Sequence, residues 1–305
     1  MEGILNILKP PGMTSHDVVN FLRRLTGEAK VGHTGTLDSE AAGVLPVCLG
    51  KATRVISFLR DDKEYRAEVT FGVKTSTHDS FGEVLSERDA SHLTLEMVEK
   101  ALANFRGKIT QVPPMTSARH YQGKKLYLLA RKGEIVTRQP KQVTIYQLNI
   151  VRDQDFRTAH PRLLLDVVCT AGTYIRTLCN DLGDSLGCGA YMSFLLRTRA
   201  GLFTLSNALT IENLFFLVNN NCLDNVLMPM NKALSHLPAV ELKKEETVKA
   251  VREGRTLREN EVKKLSTPLT PGQIVRLTRP NGLAAIARVE VKVEGYWFRP
   301  IRVLV

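Results

Sequence analysis

The chain has 305 residues, 43% of them apolar and 24% charged, with a formal net charge of +11. That size suits about two ordinary folded domains and excludes a disordered or fibrous protein. No apolar run approaches the ~20 residues that span a bilayer, and MEGILNILKPPG has no basic region ahead of an apolar segment, so the basic surplus points to nucleic acid, not to a membrane. Five cysteines without a CxxC pair argue against a disulfide framework and a zinc knuckle and fit a reducing cytoplasm.

In chain order, Thr14-Ser15-His16-Asp17 offers N-cap residues before Val18, Phe21, Leu22 and Leu25, a helical stripe closed by Gly27. Residues 31–54 hold Gly32, Gly35, Gly43 and Gly50 and read as a turn-rich loop entering a buried segment. Lys63 to Gly72 alternates strictly, with Tyr65, Ala67, Val69 and Phe71 on one face, which predicts a half-buried strand. Val98, Ala101, Leu102 and Phe105 predict a helix stopped by Gly107. Strands follow at Val143–Val151 and Arg162–Thr170, then a helix striped by Ile175, Leu178, Cys179, Leu182 and Leu186 with Gly187 at its C-terminal end. Leu227 to Pro238 reads as a domain junction. Beyond it come a short helix, strands at Gln273–Thr278, Leu283–Val293 and Tyr296–Val305, and a hairpin turn at Arg279–Gly282. Strands and helices without a regular βαβ rhythm make the large domain α+β, with a small β-rich domain behind it.

The charge is concentrated. Arg119 to Lys141 has seven bases against one acid, and Ser235 to Val305 has 14 bases against 8 acids, leaving the rest near neutral. Two such runs suit a surface that tracks phosphates, although one run alone is as well explained by a solvated face. Tyr121 and Tyr127 within the first run are placed to stack on bases or to anchor the segment.

Two motif matches fail on context. Gly43 to Lys51 has Leu45 where a phosphate loop needs its first glycine, and Ala52 follows where it needs Ser or Thr. Gly183-Asp184-Ser185-Leu186-Gly187 matches the G-x-S-x-G of a hydrolase nucleophile elbow, but Ser185 falls near the end of a predicted helix instead of on a strand-to-helix turn.

His33-Thr34-Gly35-Thr36-Leu37-Asp38 is the sharper signal. A single carboxylate in a Gly-rich loop can be a nucleophile toward an electrophilic carbon, or simply a turn or capping residue. Tyr65 and Tyr174 are, on pattern alone, a core aromatic and a helix-start aromatic. Arg176 falls in the first turn of its helix, where the macrodipole disfavours a cation. It therefore calls for an anionic partner, unless it is an unpaired surface arginine.

At these residues the sequence resembles the TruB family, the bacterial tRNA pseudouridine-55 synthases. The resemblance runs through KPPGMTS at 9–15, GHTGTLD at 32–38, GVLPVCLG at 43–50, KEY at 63–65, YQGKKLY at 121–127, GTYIRTL at 172–178 and Leu182 to Ala190. It implies a pseudouridine synthase-like catalytic domain over residues 1–238, with mixed sheet and flanking helices. An RNA-clamping insertion at about 111–142 and a PUA-like RNA-binding domain at 239–305 are implied as well. Asp38 would be the aspartate that attacks the target uridine, and Arg176 the base paired with it, lowering its pKa by roughly 1–3 units. Tyr65 would stack on the flipped uracil, Tyr174 contact the base and assist proton removal from C5, and Leu195 wall the pocket. His33 would help open the RNA loop, and Lys9 would be structural. Lys124, Lys125, Arg131 and Lys132 would contact RNA. The implied partner is the T-arm of tRNA, with no metal, cofactor, membrane or protein partner, and the implied state a cytoplasmic monomer. Ser39-Glu40-Ala41-Ala42 departs from the family's usual Pro-Leu-Ala-Thr, so that Glu40 stands close to the nucleophile. Lys74–Asp79 keeps one of two acids frequent there, and Met115–His120 departs from the usual Tyr-Ser-Ala run. A protein that binds RNA without chemistry would show the same basic runs with no need of Asp38.

Overall fold

Strand β1 (Gly3–Lys9) and helix α1 (Ser15–Thr26) open the chain, followed by β2 (Val31–His33) and β3 (Ala42–Leu49). The coordinates are a computed structural model, which describes residues 1–305 except Ala118, Arg131, Ile135, Lys264, Ser266, Thr267 and Asn281. Helix α1 is set by local chemistry. The Thr14 hydroxyl accepts from the Asp17 N–H while the Asp17 carboxylate accepts from the Thr14 N–H, and Gly27 closes the helix at φ 68°.

Next come β4 (Lys63–Phe71), β5 (Val73–Thr75), β6 (Val84–Glu87), α2 (Leu95–Ala103) and β7 (Gly107–Gln111). The basic run holds the hairpin β8 (His120–Tyr121) and β9 (Lys124–Lys125) and the short α3 (Leu126–Ala130). Then β10 (Lys141–Gln154), β11 (Arg162–Cys169), α4 (Ile175–Ser185), β12 (Ala190–Ala200), β13 (Phe203–Thr204), α5 (Ile211–Asn219) and α6 (Met230–Ala233) complete the body. Nine strands form one sheet in the order β1-β3-β12-β4-β11-β10-β7, with β2 beside β3 and β13 beside β12. Every pairing is antiparallel except the brief parallel contact of β3 with β12, at Ala42–Leu196 and Gly43–Arg197. Gly43 sits at φ 124°, and a Cβ there would overlap the Arg197 main chain, so only glycine lets the two strands meet.

The alternating residues of β4 behave as the period predicts: Ala67, Val69 and Phe71 are buried with Leu163, Leu165 and Val167 of β11 under Val98 and Leu102 of α2 and Leu178 and Leu182 of α4. A second cluster packs Leu5, Ile7, Leu45 and Val47 against Val18 and Leu22 of α1 and Leu214 of α5.

The C-terminal unit comprises β14 (Ala239–Glu241), α7 (Glu245–Arg252), β15 (Leu257–Arg258), β16 (Ile274–Arg279), β17 (Gly282–Lys292) and β18 (Gly295–Val303), in the order β14-β16-β17-β18-β15. It encloses its own core of Val251, Val275, Leu277, Val289 and Phe298. A separate cluster of Val55, Leu234, Leu283, Ile286 and Leu304 joins it to the body. The fold is therefore α+β, with a mixed sheet, flanking helices and a small β-rich C-terminal unit.

Two expectations need correction. Helix α2 ends at Ala103, and Gly107 opens β7 at φ 84° instead of stopping a helix. Strand β12, central in the sheet, has no counterpart in the sequence reading. Its pairing with β4 slips register at Met192/Phe194 and again at Arg197/Arg199, which erases the two-residue period that would have marked it.

Candidate active site

The loop between β2 and β3 carries Asp38 and is held from two sides by buried donors. Lys9 is fully buried and spends its ammonium on three carbonyls, those of Pro10 (2.8 Å), Met13 (2.6 Å) and Ser39 (2.8 Å). Burial lowers its pKa to about 8, against the attraction of Glu40 and Asp38. The Ser15 hydroxyl accepts from the Leu37 N–H at 2.8 Å and lies 3.2 Å from the Leu37 carbonyl. From β12, Arg197 donates Nε to Val44 (2.6 Å) and Nη2 to Gly35 (3.2 Å), with Nη1 3.5 Å from the Thr36 carbonyl. Arg197 is 1% exposed, and among the described residues no carboxylate lies within ion-pair distance of it.

Arg176, in the first turn of α4, grips Asp38 with a fork: Nε to Oδ2 at 3.0 Å and Nη2 to Oδ1 at 3.2 Å. Its other edge meets a second acid, Asp79 (3.2 Å), the Thr116 hydroxyl (2.8 Å) and the Thr77 and Thr116 carbonyls. The arginine against the helix dipole is thus a buried cation between two carboxylates, and the unpaired-surface alternative falls. Asp79 is the acid retained in the Lys74–Asp79 stretch, and Thr116 comes from the run that departs from the family.

Pairing alone would lower the Asp38 pKa. The structure gives the opposite direction. The walls of the cleft desolvate the carboxyl and push its pKa up, with Asp79 adding to the rise, while Arg176 and Lys9 oppose it. One side of the carboxyl stays open, since its side chain is 41% exposed. The second acid that acts on Asp38 is Asp79; Glu40 is exposed at the loop surface and is not among the groups that move it.

Around this pair stand the other sequence-derived residues. Tyr65 of β4 lies opposite Val167 of β11 and Arg197 of β12, and is 9% exposed. Burial raises its hydroxyl pKa, with Arg197 opposing, so the phenol is neutral. Tyr65 is therefore a core aromatic by packing, as its strand period predicts, and it belongs to the same buried cluster as Leu37 and Leu195. Leu195 is 8% exposed on β12. Tyr174 caps α4, its backbone N–H donating to the Gln111 side chain (3.0 Å) and its carbonyl accepting from it (3.1 Å). His33 ends β2, and its Nδ1 accepts from the Gly35 N–H at 3.2 Å, which places the ring proton on Nε2. Burial and then Arg197 and His16 lower its pKa, so the ring is neutral at pH 7.

Thr116, three residues ahead of the basic segment, meets this site at Arg176. Lys124, Lys125 and Lys132 are exposed, with the Lys125 ammonium 5.7 Å from the Tyr127 ring centre, and Arg131 lies outside the described residues. Among the described residues no group of three or more His, Cys, Asp or Glu side chains is placed to hold a metal ion. Ser185 ends α4 with its hydroxyl donating to the Leu182 carbonyl at 2.7 Å. Gly183 is required because a Cβ there would overlap Ala190 of β12, so the G-x-S-x-G letters record helix–strand packing.

The family model for the TruB pseudouridylate synthase N-terminal domain matches residues 23–175, and that for the tRNA pseudouridylate synthase B C-terminal domain matches 176–235. The tRNA pseudouridine synthase B of Pelotomaculum thermopropionicum is 49% identical over 100% of this chain and 97% of its own length. That of Moorella thermoacetica is 45% identical over 99% of each. The chain belongs to the TruB family of pseudouridylate synthases. It is an enzyme that isomerises uridine in tRNA to pseudouridine.

The TruB fold extends to solved relatives. A Cbf5-Nop10-Gar1 complex contains a chain 30% identical, at TM-score 0.75, covering 99% of this chain and 84% of that one. An H/ACA RNP bound to a substrate RNA containing 2′-deoxyuridine matches at 27% identity and TM-score 0.75. The two TruB family models meet between Ile175 and Arg176, inside the first turn of α4, and β12 from the second model sits mid-sheet. The Asp38–Arg176 pair thus joins both halves of the body.

Arg197, Asp79, Thr116, Gln111 and Ser15 are the site residues that sequence reasoning missed. Arg197 had one usable signal: it lies two residues after Leu195, on the same face of a regular strand. Without β12 in view, that signal had nothing to attach to.

Proposed function

We propose that this TruB enzyme isomerises uridine 55 in the T-loop of tRNA and that Asp38 is its nucleophile. The carrying observation is the forked Arg176–Asp38 pair, in which the carboxyl is desolvated yet open on one side. In the proposed reaction the carboxylate of Asp38 attacks the uridine and the N1–C1′ bond breaks. The base then turns so that C5 faces C1′. A C5–C1′ bond forms as the Asp38 carboxylate is released from the sugar, the proton on C5 leaves with help from Tyr174, and N1 takes up a proton, so atoms balance without a co-reactant. A uridine in a folded loop must be extruded at a cost of a few kcal/mol. Tyr65 and Leu195 supply the apolar floor for the base, and neutral His33 enters the space it vacates. Incubation with unmodified tRNA followed by chemical mapping should place pseudouridine at position 55; a product elsewhere overturns the positional reading.

Because burial and Asp79 both raise the Asp38 pKa, the acid limb of kcat/KM should lie above the ordinary carboxylate value near 3.8. In Asp79→Asn the added negative charge is gone and Arg176 is freed to serve Asp38 alone. The limb should then move down. A limb that stays or rises would show that Asp79 does not tune the nucleophile.

The exposed lysines supply a separate test of RNA contact. Replacing Lys124, Lys125 and Lys132 by Ala should flatten the slope of log K against log salt by about 0.7 to 0.9 for each lost phosphate contact, with little change in melting temperature. Parallel lines for wild type and variant would make these lysines a solvated face.

A further inference from the structure

A cavity of about 380 Å³ lies at the seam between the body and the C-terminal unit, away from Asp38. Glu2 and Lys51 line it from the body, Met230 from α6, and Arg252, Arg279 and Leu283 from the C-terminal unit. Glu2 and Lys51 sit 3.6 Å apart and offset each other. Arg252 and Arg279 have no carboxylate within ion-pair distance among the described residues. Among the described residues the buried Nε–H of Arg279 has no acceptor. A buried guanidinium donor without an acceptor is costly, and an anionic oxygen is the partner that its fork fits best. The seam itself is preformed: on the same strand, Arg276 donates to the Asn231 carbonyl (2.8 Å), the Asn231 side chain (2.7 Å) and the Leu237 carbonyl (3.0 Å).

We propose that this cavity seats a backbone phosphate of the bound tRNA, at a point outside the stem-loop that reaches Asp38. The inference rests on the tRNA reading above and extends it to a second contact. The chemistry matches, with two unpaired guanidinium groups for the phosphate oxygens and the Met230 and Leu283 side chains for the adjoining ribose. The position matches as well. Strand β1 runs from Lys9, bonded to the Asp38 loop, to Gly3 beside the cavity, a span of about 20 Å at ~3.3 Å per residue. A phosphate held there fixes the C-terminal unit and the body on one RNA at once, beside the apolar cluster of Leu234, Leu283 and Ile286 that already joins them.

The test compares wild type, Arg252→Gln/Arg279→Gln and, as a pair of exposed side chains that leaves folding untouched, Lys51→Gln/Arg252→Gln. Each is titrated with full-length unmodified tRNA and with the isolated T-arm stem-loop over a range of salt, with pseudouridine formation read on both. The expected result is about tenfold or greater weakening on full-length tRNA at low salt for Arg252→Gln/Arg279→Gln, with a slope flatter by about 1 to 2 units. Lys51→Gln/Arg252→Gln should show a smaller loss in the same direction, and stem-loop conversion should stay within twofold of wild type. Unchanged affinity and slope on full-length tRNA would overturn the proposal, and so would equal losses on both substrates. If wild type converts neither substrate, the tRNA reading fails and takes this inference with it.

Discussion

Asp38→Asn will abolish pseudouridine formation while the protein still binds tRNA within about tenfold of wild type. The amide keeps the shape of the carboxyl and loses its nucleophilicity. Apart from the Arg176 fork, the loop is held by contacts that do not use the Asp38 side chain: Lys9 grips the Ser39 carbonyl, Ser15 grips Leu37, and Arg197 grips Gly35 and Val44. Arg176 retains Asp79 and Thr116. Stability should not suffer either. A carboxyl whose folded pKa is raised favours folding below its unfolded pKa, and that contribution is lost as pH rises through the folded value. Above the folded value an ionised Asp38 therefore adds no stability of this kind, and there the Asn variant should melt no lower than wild type. Tritium release from 5-tritiated uridine in tRNA, beside a thermal melt, checks both halves. Residual turnover above a few per cent would sink the assignment of Asp38 as nucleophile.

Much of the fold was legible because its signals are local. Helix α1 announces itself through Thr14, Asp17 and Gly27, all in or next to its own span, and β4 through an unbroken two-residue period. The site was legible by motif for Asp38 and Arg176 and illegible for their surroundings. Arg176 reaches Asp79 across 97 residues and Thr116 across 60, and neither has a pattern that points to an arginine. Arg197 hides in a strand with two register slips. The direction of the Asp38 pKa failed for the same reason. A paired cation is visible in a motif, whereas the walls that desolvate the carboxyl are assembled from several strands and a helix. The basic runs revealed charge but not its unpaired members at the seam, because pairing is a property of the packed chain.

Arg176→Met should cost about a thousandfold in kcat/KM, the largest loss expected outside the nucleophile itself. Removing one preorganised charged donor typically costs ~10²–10³ in rate, and here the same group also positions the reacting carboxylate. Without the guanidinium, Asp38 and Asp79 face each other across the space it filled. Two carboxylates with no cation between them hold a proton more tightly, so the Asp38 pKa rises further and less of it is ionised at neutral pH. The acid limb of the rate profile must therefore move up in Arg176→Met and down in Asp79→Asn. That opposition of sign is what a merely structural arginine would not produce. Arg176→Lys should recover part of the loss and no more, because an ammonium supplies the charge but cannot fork onto Asp38 while also meeting Asp79 and Thr116. Arg176 is 5% exposed, so its removal also weakens the fold, and melting curves must show that the variant is folded at the assay temperature. If folded Arg176→Met keeps its acid limb in place and stays within tenfold of wild-type turnover, the fork orders α4 and does not prepare Asp38 for attack.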